Sequence, residues 1–229
     1  MTATTALLFD LDGTLIDSMP HHHNAWVEWY ARHGMEMHAA QFFAATAGRS
    51  NAEILFDLFP QRSVEEHVAM ADEKEAIYRE FAAQSLALID GAQAFVENAR
   101  AAGCKLAVCT ASTLQNMALA FERHGIGEWV HAVTSPADVS SGPGPAVPLR
   151  GKPHPDIFLE AARRLGVAPA DCIVFEDAPL GVEAARRAGM KAVALTTTLP
   201  AAEFASFPNL IAIAADFTTL DLARLTSPL

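Results

Sequence analysis

Two aspartates separated by one residue stand at the end of the first apolar run of the chain. Asp10 and Asp12 follow Ala6-Leu7-Leu8-Phe9, a run typical of a short buried strand, and Gly13 comes next. Residues two apart in an extended chain project to the same side, so both carboxylates should project together where the strand stops. At about 4 Å, two like charges repel by about 4 kcal/mol at an effective dielectric constant of about 20, which favours a cation, a proton or a substrate beside them. A strand end followed by an Asx-type turn would explain the same residues without any chemistry.

Polar residues also lie at the ends of other predicted strands. Short apolar runs at 5–10, 105–109, 130–134, 172–175, 192–196 and 210–214 alternate with helical segments, which predicts a mostly parallel sheet. Ligands of open parallel sheets bind outside the carboxyl ends of the strands. Thr110, Ala111 and Ser112 follow the second strand, and Lys152 opens the helix after the third. Glu176 and Asp177 follow the fourth strand.

These residue types fit phosphoryl chemistry. Several carboxylates and a main-chain carbonyl make a hard oxygen site suited to Mg²⁺. Thr110 precedes a helix whose free amide groups can hold a phosphate, and Lys152 can bind a phosphoryl oxygen. An aspartate beside a metal and a lysine can attack phosphorus, and a second can protonate the leaving oxygen and then activate water. Each residue alone has an ordinary explanation as a helix cap, a first-turn acid or a solvated charge; their coincidence at one predicted edge favours a site.

Composition limits the classes of partner. The chain has 229 residues, is 51% hydrophobic and carries a formal net charge of −11 without a basic run, so we expect no nucleic-acid partner. No apolar run approaches the roughly 18 residues of a membrane span, so we expect no membrane partner. The three cysteines, Cys104, Cys109 and Cys172, lie in or beside apolar runs and are expected to be buried reduced thiols of a cytoplasmic protein. Because no apolar surface stripe stands out beyond those that the core needs, we expect a monomer.

A helical block interrupts the strand and helix alternation. From 17 to 88 the apolar residues recur at helical spacing, which predicts a helical subdomain inserted after the first strand. The segment 135–151 contains four prolines and three glycines and is predicted to be a loop. The sequence therefore predicts an α/β fold with a parallel-sheet core and a helical insertion.

Four short segments resemble the motifs of the haloacid dehalogenase-like hydrolase superfamily in order and separation. They are Asp10-Leu11-Asp12-Gly13-Thr14, Thr110, Lys152-Pro153 and Glu176-Asp177. Segments 151–158 and 175–182 are most similar to the β-phosphoglucomutase-like group, to which many sugar-phosphate phosphatases belong. The resemblance implies a Rossmann-like α/β core, here 1–16 and 89–229, with an inserted α-helical cap at 17–88.

The resemblance also implies roles for individual residues. Asp10 would be the nucleophile and Asp12 the general acid and base. The phosphoryl group would be bound by Thr110, Ala111, Ser112 and Lys152. Mg²⁺ would be held by Asp10, the Asp12 carbonyl and Asp177, with Glu176 joining directly or through water. The cap residues expected to face the substrate are His22, Arg49, Asn51 and Lys74.

Departures from the family patterns separate the possible activities. Dehalogenases lack a second aspartate in the first motif, so Asp12 favours phosphoryl transfer. Mutases of the group carry a Lys-Asn pair after the second-motif serine and an arginine three residues past the cap-loop glycine. Here these positions hold Thr113-Leu114 and Asn51, and Arg49 could substitute for the arginine from its shifted position. We therefore predict a magnesium-dependent phosphatase for a small sugar phosphate or similar metabolite. The alternatives are a β-phosphoglucomutase and, less expected, a phosphate-binding regulatory module without turnover.

Overall fold

The computed structural model describes residues 5–46, 50–142 and 145–227. It divides into two compact units. The described residues up to Asp17, together with those from Ala87 onward, form a sheet-containing unit, and Ser18–Leu86 form a helical unit. No helix in the described ranges combines the length and the apolar character that crossing a membrane requires.

A six-stranded parallel sheet is the centre of the first unit. Its strands are β1 (Ala6–Phe9), β2 (Lys105–Cys109), β3 (Ala132–Thr134), β4 (Cys172–Glu176), β5 (Lys191–Leu195) and β6 (Leu210–Ala214). They lie in the order β3-β2-β1-β4-β5-β6, and every neighbouring pair is parallel. The predicted α/β fold with a parallel sheet is confirmed.

The helical unit contains α1 (Met19–Arg32), α2 (Ala39–Thr46), α3 (Asn51–Leu58) and α4 (Val64–Ser85). Capping boxes fix the starts of two helices, with Ser50 pairing with Glu53 and Ser63 with Glu66. Helices α1 and α4 pack against each other, and the indole of the fully buried Trp29 donates to Glu73 at 3.0 Å.

Helices of the first unit connect and cover the strands. They are α5 (Ala92–Ala101), α6 (Leu114–His124), α7 (Ile126–Trp129), α8 (Asp156–Leu165), α9 (Pro179–Arg187) and α10 (Leu222–Thr226). Helix α7 was not predicted, because four residues are too few to display a helical period. Gly125 ends α6 in a left-handed conformation (φ +67°) and leads directly into α7.

The two faces of the sheet are packed differently. Ala6 and Leu8 of β1 belong to a buried apolar cluster that includes residues of α8 and α9. Phe9 projects to the other face and stacks on Phe175 of β4, with ring centroids 4.8 Å apart. Both rings also contact Phe217. Burial on both faces explains why β1, β2, β4 and β5 are almost continuous apolar runs.

The segment after β3 forms neither a helix nor a strand in its described residues, 135–142 and 145–151, as predicted. An isolated bridge joins Val139 and Pro148 across it. The Ser141 hydroxyl donates to the buried Glu160 of α8, which ties the segment to the helix.

Candidate active site

Strand register brings the predicted site residues to one edge of the sheet. Phe9, the last residue of β1, lies opposite Val108 in β2 and Phe175 in β4. The three strands therefore end almost level, and Asp10 and Glu176 emerge side by side. The Asp10 amide continues the ladder by donating to the Phe175 carbonyl at 3.0 Å.

Lys152 pairs with two of the carboxylates. Its ammonium donates to Asp10 Oδ1 and lies 2.5 Å from Glu176 Oε1. Burial alone would lower the pKa of Lys152, but the charges of Asp10 and Glu176 raise it above its ordinary value. Lys152 is therefore a permanent cation at the point where β1 and β4 end.

Three carboxylates form a compact oxygen site. One oxygen each from Asp10, Glu176 and Asp177 lies within 4.8 Å of the others, and all three residues are buried. Burial raises the pKa of Asp10, although Lys152 acts in the opposite direction. Burial likewise raises the pKa of Glu176 to about 8 and, together with the charge of Asp10, that of Asp177 to about 7.

The chemistry and packing of this group fit a small hard cation. Its donors are carboxylate oxygens, the ligands that Mg²⁺ prefers. Glycines make room for two of them. A Cβ on Gly13, whose φ is +78°, would lie 2.1 Å from Asp177 Oδ2, and a Cβ on Gly181 would lie 1.9 Å from the Glu176 carboxyl carbon. The backbone is therefore shaped around the carboxylates, which would be costly to bury together without a cation.

The Asp177 carboxylate also has two hydroxyl partners that the sequence analysis missed. Thr198, after β5, donates to Oδ2, and Thr14 lies 3.4 Å from Oδ1. The Thr197 hydroxyl donates to the carbonyl of Gly13 in the first loop. Thr14 lies in the first motif, and Thr198 ends a run of three threonines after a predicted strand, but neither position indicates a contact with Asp177.

Thr110 lies at the end of β2, as predicted. Its amide donates to the Thr134 carbonyl at 3.0 Å, and its hydroxyl accepts from the Ser112 amide at 2.9 Å. The exposed Ala111 lies between them, and Thr113 then caps α6 by accepting from the Asn116 amide. Thr110, Ala111 and Ser112 therefore form the turn that leads into a helix N-terminus.

Asp12 lies in the turn that follows Asp10. It is half-buried, and the backbone around it is held by the Gly13 amide donating to the Ile16 carbonyl at 2.9 Å. Its carboxylate is not a member of the group formed by Asp10, Glu176 and Asp177. The predicted roles of Asp12 in proton transfer and, through its carbonyl, in metal binding stay predictions.

The helical unit contains a buried polar cluster of its own. Lys74 is 2% exposed, and its ammonium lies 2.7 Å from His22 Nδ1 and 2.9 Å from Glu75 Oε1. An ammonium only donates, so Nδ1 of His22 is the acceptor. Asn51 Nδ2 donates to the same Glu75 oxygen at 2.5 Å, and the His22 ring stacks on Tyr78 at 3.9 Å.

This cluster joins three of the four predicted cap residues. His22, Asn51 and Lys74 meet around Glu75, a residue that the sequence analysis did not single out. Arg49 lies outside the described residues. The assignment of all four to substrate contacts stays a prediction, as do the domain boundaries at 16 and 89.

Comparison with known proteins identifies the family. The family model for haloacid dehalogenase-like hydrolases matches residues 4–189. The chain belongs to the haloacid dehalogenase-like hydrolase family. Among curated relatives of this hydrolase, hexitol phosphatase A of Escherichia coli is 33% identical over 205 residues, covering 82% of this chain and 81% of that protein. The fructose-1-phosphate phosphatase of the same organism is 32% identical, covering 82% and 94%.

The chain is also similar to a mutase and to a solved structure of the same family. Beta-phosphoglucomutase of Bacillus subtilis is 29% identical over 200 residues, covering 82% of this chain and 81% of that protein. Among solved structures, a family IA hydrolase from Entamoeba histolytica has a TM-score of 0.83 at 26% identity, covering 97% of this chain and 98% of that chain. The phosphatase relatives and the family match make this hydrolase a phosphoric monoester hydrolase, which confirms the predicted class of enzyme.

Proposed function

We propose that this hydrolase removes phosphate from a small sugar or polyol monophosphate in a magnesium-dependent reaction, through a phosphoryl group carried on Asp10. The observation that carries the proposal is the Asp10 carboxylate paired with Lys152 inside a group of three buried carboxylates. The named activities of the hexitol and fructose-1-phosphate phosphatases support a phosphorylated polyol or ketose as the class of substrate.

The proposed reaction has two halves that use the same residues. The Asp10 carboxylate attacks phosphorus, and the bond from phosphorus to the leaving oxygen breaks while Asp12 protonates that oxygen. Asp12 then takes a proton from water, whose oxygen attacks phosphorus and releases inorganic phosphate from Asp10. Both aspartates return to their starting state, and the Lys152 ammonium binds a phosphoryl oxygen in both halves.

Magnesium has a defined part in this proposal. Asp10, the Asp12 carbonyl, Glu176 and Asp177 would hold it, and when bound it supplies positive charge that stabilises the phosphoryl oxygens. The Thr110 to Ser112 turn, at the start of a helix, offers amide donors to the phosphate. The net charge of the whole chain opposes an anionic substrate, so these local donors and cations are what make binding favourable.

Two features argue against the mutase alternative. Thr113, where mutases of the group carry the lysine of a Lys-Asn pair, serves as the N-cap of α6. Asn51, where they carry an arginine, is neutral and donates to Glu75, an anion. Neither position supplies the cation with which a mutase would hold a second, non-transferring phosphate.

The test is a phosphate-release screen over hexitol, ketose and aldose monophosphates, with Mg²⁺ and with a chelator. We expect turnover only with Mg²⁺ and a loss of about a thousandfold or more in Asp10→Asn, because the nucleophile is removed. Asp171→Asn, which alters an exposed carboxylate just before β4, is the matched control and should retain activity. Turnover that persists in Asp10→Asn would overturn the proposed mechanism. Rapid isomerisation of β-glucose 1-phosphate with a bisphosphate primer and negligible phosphate release would instead favour the mutase.

A further inference from the structure

The loop after β5 connects the two segments that carry the carboxylates. Thr198 donates to Asp177 Oδ2, and Thr197 donates to the Gly13 carbonyl. Asp177 follows β4, whereas Gly13 follows β1, so consecutive threonine hydroxyls bind both loops. Sequence motifs assign no role to this third loop, although β5 is the next strand in the sheet after β4.

Asp177 depends on Thr198 more than on its other hydroxyl partner. Thr14 Oγ1 lies 3.4 Å from Oδ1, at the limit of a hydrogen bond, whereas Thr198 makes the closer contact with Oδ2. Asp177 is 4% exposed, so water has little access to replace a lost donor. Hydroxyl donation to a buried carboxylate restricts its rotation about the side-chain torsion.

Gly13 supports the same arrangement. A Cβ at this position would lie 2.1 Å from Asp177 Oδ2 and 2.7 Å from Thr198 Oγ1. The missing side chain therefore leaves the space in which the Thr198 hydroxyl meets the carboxylate. The first loop and the loop after β5 therefore both contact the Asp177 carboxylate, through Thr14 at Oδ1 and Thr198 at Oδ2.

We propose that Thr198 is a positioning residue of the magnesium site, holding the Asp177 carboxylate in the orientation in which it binds the cation. This role rests on the proposed magnesium-dependent function. Partners that orient a ligating carboxylate affect metal affinity by about 10- to 100-fold in characterised metal sites. Thr198 thus acts on the cation through Asp177 and does not itself contact substrate.

The test measures Mg²⁺ binding without substrate, by calorimetric titration of the 229-residue chain. Thr198→Val removes the hydroxyl at nearly constant volume, and we expect its Kd for Mg²⁺ to rise by about 10- to 100-fold. Thr198→Ser keeps the hydroxyl and should stay within about threefold of wild type. Thr196→Val makes the same change two residues away, where the hydroxyl lies 3.4 Å from the Ala214 carbonyl, and should leave Kd unchanged.

A kinetic readout accompanies the titration. Thr198→Val should need more Mg²⁺ for half-maximal phosphatase activity, yet recover most of its kcat when Mg²⁺ is saturating, because the catalytic aspartates are intact. Circular dichroism and the urea midpoint report whether each variant is folded. A folded Thr198→Ser variant that loses Mg²⁺ affinity as severely as Thr198→Val would overturn the role of the hydroxyl.

Asp177→Asn separates this inference from the proposed function. If Asp177→Asn loses Mg²⁺ binding while Thr198→Val binds as tightly as wild type, the role of Thr198 is overturned and the metal site stands. If Thr198→Val and Thr196→Val weaken binding equally, the effect belongs to the loop in general and the role is again overturned. Undiminished binding in Asp177→Asn would overturn the metal site and the role of Thr198 with it.

Discussion

Gly181→Ala tests whether the backbone of α9 is shaped around Glu176. The new Cβ would lie 1.9 Å from the Glu176 carboxyl carbon, and ordinary contact requires at least 3.4 Å. Glu176 must therefore move by about 1.5 Å, since the helix backbone beneath it is held by its own hydrogen bonds. Glu176 Oε1 already lies at contact distance from Lys152, 2.5 Å, so a displacement of Glu176 away from the ammonium lengthens this ion pair.

The expected cost follows from that displacement. Lengthening the pair from 2.5 Å to about 4.0 Å weakens the attraction by about 2.5 kcal/mol at an effective dielectric constant of about 20. Replacing glycine by alanine within a helix contributes up to about 1 kcal/mol in the opposite direction. We expect Gly181→Ala to be less stable than wild type by about 1.5 kcal/mol in urea unfolding above pH 8, where Glu176, with its pKa of about 8, is ionised. We also expect kcat/KM for the best substrate to be at least about tenfold lower.

Gly127→Ala is the matched control for this substitution. Gly127 also lies in a helix, but its Cβ would meet Phe121 at 3.5 Å, which is ordinary van der Waals contact. This variant should be as stable as wild type or slightly more so, with unchanged kinetics. If Gly181→Ala matched Gly127→Ala in both measurements, the argument that Gly181 makes room for Glu176 would be wrong.

Three further predictions concern a buried glutamate, two buried cysteines and a buried lysine, none of them among the proposed catalytic or metal-binding residues. Burial raises the pKa of Glu160, but hydrogen bonds from Ser141 and two arginines outweigh it and lower the value from 4.5 to about 2. Ionised Glu160 therefore stabilises the folded protein fully at pH values above the pKa that this residue has in the unfolded chain, and the stabilisation is lost as pH falls toward 2. Glu160→Gln should thus be about 1 to 2 kcal/mol less stable than wild type by urea unfolding at pH 7 and equal to it near pH 2. A difference in stability that stays constant with pH would contradict this. Burial raises the pKa of Cys109 and Cys172 to about 12, so both should react with a thiol reagent at pH 8 only after denaturation, and rapid labelling of native protein would refute their burial. Lys74→Met should destabilise the protein by about 3 kcal/mol in urea unfolding, because the buried Glu75 carboxylate loses the ammonium that pairs with it. Adding Glu75→Gln to this variant should recover part of the lost stability, and no recovery would contradict the ion pair between Lys74 and Glu75.

The sheet and the edge that carries the candidate active site could be predicted because their signals are local. A strand buried on both faces is a continuous apolar run, and β1 and β4 each end where that run meets an acid. Parallel pairing then aligns these ends, so Asp10 and Glu176 could be expected to meet before any coordinate was known. The order of the strands and the exact register required the structure, since both depend on contacts distant in sequence.

The residues that escaped prediction owe their roles to contacts with particular side chains, which no sequence pattern displays. Thr198 matters because of Asp177, which lies 21 residues earlier, and a threonine run after a strand has no periodic pattern to reveal such a contact. Gly181 resembles a residue that merely weakens a helix, and only the position of Glu176 explains it. Glu75 resembles one more surface acid of a long charged helix, yet it is 6% exposed.

Charge balance connects these observations to the proposed need for a divalent cation. At the edge of the sheet the carboxylates of Asp10, Glu176 and Asp177 outnumber the Lys152 ammonium by two. A second lysine would remove half of this excess but would also occupy the space that the phosphoryl group needs. A divalent cation balances the excess in a smaller volume and leaves its other coordination positions to oxygens of substrate and water. Burial is the main cause of the raised pKa values of these three carboxylates, and the charge of Asp10 adds to it at Glu176 and Asp177. A cation that binds the carboxylates only in the folded protein should therefore increase the stability of the protein as well as support turnover.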